Sequence, residues 1–153
     1  EQFTYTIRNT DGVEESAIVT AQVGTSAKDL NFRLETTDSS GSVLTEIVQG
    51  STFQLRVHVR DLRDPMSDLG VFAAYLDVLL DSGLVSTIPT NGPLGFDVTF
   101  GTDYLNGPSG DSLTNVIDEL GSFQTSLLPL GGTEKLLTTI TLQIGRASGR
   151  ERV

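Results

Sequence analysis

The chain has no cysteine and no tryptophan, and only one histidine and one methionine in 153 residues. Without thiols there are no disulfides and no thiolate metal sites. With one histidine, a zinc site or a Ser-His-Asp constellation has almost no material. Positive charge is scarce as well: 10 Lys and Arg stand against 20 Asp and Glu, a net charge of −10. A phosphate backbone or an anionic bilayer needs a basic footprint, so neither nucleic acid nor such a membrane surface is an expected partner. No run approaches the ~18 consecutive apolar residues of a membrane span, so no membrane insertion is expected. The chain opens at Glu1 with neither Met nor a signal-peptide pattern, as an internal excerpt of a longer polypeptide would.

What is present suits strands and turns. The hydrophobic share is 37% and there are 16 glycines, alongside abundant Thr, Ser and Asp. The longest apolar stretch, residues 70–85, lies between Gly70 and the turn signal Asp81-Ser82-Gly83. It reads as a strand. Phe72, Ala74, Leu76, Val78 and Leu80 share one side and are assigned to a core. Ala73, Tyr75, Asp77 and Leu79 share the other, which faces water or a partner. A helix competes, because Ala and Leu are good helix formers. The Thr/Val/Phe-rich flanks lack a period near 3.6 and argue against it.

Other segments repeat the pattern. Phe3, Tyr5 and Ile7, a turn at Asn9-Thr10-Asp11-Gly12, then Ala17, Val19, Ala21 and Val23 predict a hairpin over residues 1–24. Residues 25–29 read as a linker. Leu30, Phe32 and Leu34 predict the next strand, and residues 43–48 its return. Phe53, Leu55, Val57 and Val59 alternate with Gln54, Arg56, His58 and Arg60, the cleanest period of two in the chain. Residues 89–112 read as Gly/Pro-rich loop with one strand over 96–100. Further strands are expected over 116–120 and 136–142, with Leu136, Ile140 and Leu142 on one face. Many short strands between turns define an all-β, antiparallel β-sandwich.

Two resemblances sharpen this. Residues 3–7, the Asp11-Gly12 turn and residues 17–23 resemble the closing strands of a bacterial immunoglobulin-like or cadherin-like repeat. They would end an upstream domain. Residues 30–143 resemble a cohesin domain in three ordered blocks: Val48 to Val57, Leu69 to Asp81, and Gly132 to Leu142. That resemblance implies a jelly-roll sandwich of about nine strands, akin to some carbohydrate-binding modules and incomplete at its C-terminus. It implies an extracellular or cell-surface setting and a small Ca²⁺-loaded dockerin-like partner bound on one sheet face. The family's contacting Asn and Asp align with Ala73 and Tyr75, so the contact chemistry here departs from the family's. Residues 144–153 resemble a translated sequencing adapter and are set apart from the fold.

The candidate partner-binding residues are therefore Ala73, Tyr75 and Asp77, with polysaccharide or an adhesive spacer role as the alternatives to a protein partner. No cofactor is expected. Asp97, Asp103, Asp111, Asp118 and Glu119 could gather oxygens for Ca²⁺, but no stretch has the spaced acids of an EF-hand loop, and acids in turns also satisfy local backbone. Asp118 and Glu119, adjacent on a strand, would point to opposite faces, unlike the opposed pair of a glycosidase. His58, between Arg56 and Arg60, reads as part of a solvated face. Tyr104 joins Tyr75 as a candidate contact aromatic. No catalytic constellation emerges, and the chain is expected not to be an enzyme.

Overall fold

The computed structural model describes residues 29–63 and 69–145 in full, and residues 2–8 and 14–22 as backbone. All regular structure among them is strand: β1 (Gln2–Arg8), β2 (Glu14–Gln22), β3 (Leu30–Thr37), β4 (Ile47–Val48), β5 (Thr52–Asp61), β6 (Ala73–Leu79), β7 (Val85–Thr87), β8 (Val98–Phe100), β9 (Asn106–Ser112), β10 (Val116–Phe123) and β11 (Lys135–Ile144). One sheet runs β4-β1-β2-β6-β10-β9; the other runs β3-β5-β11-β7, with β8 also on β11. The pairings are antiparallel except β1 with β4. Phe53, Leu55, Val57, Ile140 and Leu142 from one sheet meet Leu76, Val78, Ile117 and Leu120 from the other in one core. The expected all-β antiparallel architecture is present, arranged like a sandwich.

Alternation explains why β5 and β6 bury one face each. Phe53, Leu55, Val57 and Val59 are buried, as are Ala74, Leu76, Val78 and Leu80. Phe72 departs from its expected place in the core and is 58% exposed. The strand starts only at Ala73, after Gly70 has turned the chain at φ +138°. Phe72 therefore sits before the pleat and does not follow its period. A second departure lies in β11, where the register slips between Leu136 and Thr138. Leu137, not Leu136, is then buried with Ile140 and Leu142.

The stretch read as loop over 89–112 contains β9. Pro108 has no N–H to give, but β9 ends its sheet, and an edge strand tolerates that loss. The expected return over 43–48 shrinks to β4. β11 runs through buried Ile144, whose N–H bonds to the Ser51 carbonyl at 3.0 Å; residues 146–153 lie outside the described residues.

The β1–β2 hairpin is joined to the sheet by backbone. Thr20, Ala21 and Gln22 pair with Leu79, Val78 and Asp77. The turn at residues 9–12, the linker residues 25–28 and the side chains of Phe3, Tyr5 and Val19 lie outside what is described.

Two buried groups fix the entry to β6. Asp61, at the end of β5, accepts the Gly70 N–H at 2.8 Å and the Arg63 N–H at 2.9 Å. The Arg63 guanidinium beside it and these N–H groups hold its carboxyl well below the usual carboxylate range. The Tyr104 hydroxyl donates to the Val71 carbonyl at 2.8 Å.

Candidate functional site

β6 lies between β2 and β10, and its outward side chains are Ala73, Tyr75, Asp77 and Leu79, all exposed. Ala73 pairs with Phe123 and Tyr75 with Gly121. Directly opposed residues share a face, so these four form one outward patch. Each aromatic ring is seated by a glycine. A Cβ on Gly121 would lie 2.6 Å from Tyr75 Cδ1, and one on Gly107 would lie 2.3 Å from Phe123 Cε1. Phe72 stacks on Phe123 with ring centres 6.0 Å apart and planes 18° apart. The result is an apolar strip, Phe72–Phe123–Ala73–Tyr75, in which Tyr75 and Phe123 lie against glycine backbone, Phe72 lies on Phe123, and Tyr75 is still 47% exposed.

The strip ends in acid. The β6–β10 register shifts between Ile117 and Leu120, so Asp118 and Glu119 together oppose Asp77. This is a β-bulge, and bulges re-aim side chains. Glu119 takes φ +49°, a left-handed conformation costing a non-glycine residue roughly 1 kcal/mol or more. Its N–H donates to Asp77 Oδ1 at 3.0 Å. Asp77, Asp118 and Glu119 line one open depression with Tyr75. The expectation that Asp118 and Glu119 point to opposite faces thus fails, because the bulge breaks the alternation.

Of the other acids, only Asp111 comes up to this edge. Asp97 lines a separate cavity, Asp103 pairs with Lys135 at 3.4 Å, and Asp111 faces Asp118 across β9 and β10. Among the described residues no group of three or more His, Asp or Glu side chains is placed to hold a metal.

Tyr104 is not a displayed aromatic. It is buried, and burial pushes its phenol up to about 12. Ser122 is likewise buried, with its hydroxyl donating to the Tyr104 carbonyl at 3.0 Å.

The outer face of the opposite sheet carries an ion-pair network. Arg33 binds Glu134 through Nε at 3.0 Å and Nη2 at 2.8 Å, and Glu35 through Nη1 at 3.0 Å. Beneath them lies His58, which is 9% exposed and not solvated as its sequence neighbours suggest. Its Nε2 is 3.5 Å from Glu35 and its Nδ1 is 3.6 Å from Glu134. Burial, and then the nearby Arg33 charge, hold the imidazole below its ordinary value. The unfolded chain therefore takes up this proton first as pH falls. Stability is full above about pH 6.5 and declines below it, toward the folded value. The melting temperature should drop between pH 7 and pH 5, and His58→Gln should flatten that segment of the profile. A rise in melting temperature over this range would contradict the assignment.

The sequence alone found Ala73, Tyr75 and Asp77 on the outward face. It missed Phe72 and Phe123, and it separated Glu119 from Asp77. A usable signal was present: Ile117 and Leu120 are apolar at a spacing of three within a strand, which only an extra residue reconciles with a period of two.

Compared with protein-family models, curated proteins and solved structures, the chain matches none. Its function is therefore argued from this geometry.

Proposed function

We propose that the chain is a non-catalytic, cohesin-like protein-interaction module of a secreted or surface multidomain bacterial protein, with a jelly-roll sandwich fold. It binds its partner on the outer face of β6 and β10. The observation that carries this reading is the strip Phe72–Phe123–Ala73–Tyr75, with Phe123 and Tyr75 seated on Gly107 and Gly121, edged by Asp77, Asp118 and Glu119. Aromatic rings held in place lose little entropy on binding and are favoured at interface hot spots. The acidic edge suits a partner with basic side chains beside an apolar patch. A Ca²⁺-loaded dockerin-like module is the partner class to test first.

The experiment is a calorimetric titration of such modules against the chain and two variants. Tyr75→Ala and Asp77→Asn should each cost more than about 1 kcal/mol of binding with an unchanged melting temperature. Asn keeps an acceptor for the Glu119 N–H, so the bulge survives. Unchanged affinity in both variants would remove the site from this face, and hydrolytic activity in the purified chain would overturn the non-catalytic reading.

Polysaccharide is the second reading, favoured by the exposed Phe72 ring, which is stacked on Phe123 and displayed for contact with a sugar ring. Retention on insoluble polysaccharide that is lost in Phe72→Ala would favour it over a protein partner.

A further inference from the structure

The tripeptide Asn-Gly-Pro occurs twice in the chain, at residues 91–93 and 106–108. Asparagine followed by glycine is open to a reaction of its own. The glycine nitrogen attacks the asparagine Cγ, and no side chain on the glycine stands in the way. The Cγ–Nδ2 bond breaks, ammonia leaves, and the glycine N–H proton passes to water. Water then opens the resulting succinimide at either carbonyl, giving aspartate or isoaspartate. The balance needs water alone. Two copies of one tripeptide should react alike in an unfolded chain, so a difference between them comes from the fold.

The fold treats the two differently. Asn106 opens β9 and pairs with Phe123. Its Nδ2 donates to the Gln124 carbonyl at 3.0 Å, which fixes the side-chain amide. The Phe123 ring covers Gly107, as the 2.3 Å approach of its Cε1 to a Cβ there shows. Ring closure at Asn106 would break that bond and move Gly107 against an aromatic ring. Asn91 lies instead at the tip of a loop closed by the bridge between Pro89 and Phe96. The Thr90 N–H donates to the Gly95 carbonyl, and the Gly95 N–H to the Gly92 carbonyl, each at 3.0 Å. Asn91 itself makes no hydrogen bond among the described residues, and Asn91, Gly92 and Pro93 are all exposed. The Gly92 N–H donates to the Thr90 hydroxyl at 3.3 Å, a long bond that is easily lost. Exposed loop tips with few bonds open at little cost.

We propose that Asn91 is a site of spontaneous deamidation and isoaspartate formation, and that the fold protects Asn106 from the same reaction. The product puts a carboxylate in place of a neutral amide, next to Gly92 and Pro93 at the cavity that Leu94, Phe100 and Asp97 also line. In the isoaspartate form the backbone runs through the former side chain, which lengthens the tip. That form also presents an exposed α-carboxylate, the group that isoaspartyl carboxyl methyltransferases esterify.

The test ages the full chain at mildly alkaline pH, both folded and in urea that unfolds it. Peptide mass spectrometry follows each asparagine, and methyl transfer by an isoaspartyl methyltransferase counts the isoaspartate. In the folded chain Asn91 should convert at least about ten-fold faster than Asn106. In urea the two rates should come together. Gly92→Ala puts a methyl group on the attacking residue and should slow the Asn91 reaction about ten-fold. Its Cβ would lie 3.2 Å from the Thr90 hydroxyl, which can rotate away, so the melting temperature should hold. Asn106 converting as fast as Asn91 in the folded chain would overturn the proposal. So would an unreacted Asn91, a rate unchanged by Gly92→Ala, or a difference that persists in urea, where sequence alone acts.

Discussion

Gly121→Val should destabilise the protein by at least about 3 kcal/mol, lowering the melting temperature by roughly 10 °C. A Cβ at this position would lie 2.0 Å from the Ala74 carbonyl oxygen and 2.7 Å from the Tyr75 Cα. Those atoms are backbone of the neighbouring strand and cannot rotate away. β6 and β10 would have to separate at the middle of the sheet, across the Ala74↔Ser122 and Tyr75↔Gly121 pairs. The Tyr75 ring is a lesser obstacle, 2.6 Å from the same point, and a side chain can move. Adding Tyr75→Ala should therefore recover little of the loss. Thermal unfolding of the single and double variants decides the matter. Full recovery in the double variant would mean that the ring, not the backbone, sets the limit.

Asp61→Ala should cost about 3 kcal/mol, read from chemical denaturation, by leaving the Gly70 and Arg63 N–H groups without their acceptor. The Arg63 guanidinium is half exposed and screened by water, so little of this loss is assigned to the ion pair itself. Asp61→Asn keeps an acceptor and should cost less. The carboxyl also imposes an acid limit. Its folded value is depressed, so its contribution is present above about pH 4 and is lost as pH falls further. In Asp61→Asn that low-pH decline should be shallower. Gly70, which Asp61 holds, opens the segment leading into β6, and the variant should therefore also loosen the Phe72–Phe123 stack.

Sequence periodicity carried the reading of β5 and β6, because one face of each strand is buried and the other is not. It failed where local sequence does not determine the outcome. β9 is rich in Gly and Pro and shows no alternation, and it is a strand because β10 lies beside it. Phe72 was assigned by extending the period of β6 past the strand's first residue. His58 sits between arginines in sequence, but β3 and the segment before β11 supply Glu35 and Glu134, which close over it. Such burial depends on residues far apart in the chain. At the candidate site, the outward direction of Tyr75 and Asp77 was legible. The seating of rings on Gly107 and Gly121 was not, since it follows from register across three strands.

Amide hydrogen exchange of the chain with and without a bound dockerin-like module tests the central claim most directly. The account predicts new protection along β6 and β10, centred on Ala73, Tyr75, Asp77 and the Asp118–Glu119 bulge, with none on the outer face of β3 and β5. Protection confined to β3, β5 and the residues around Glu134, with β6 and β10 unchanged, would contradict it.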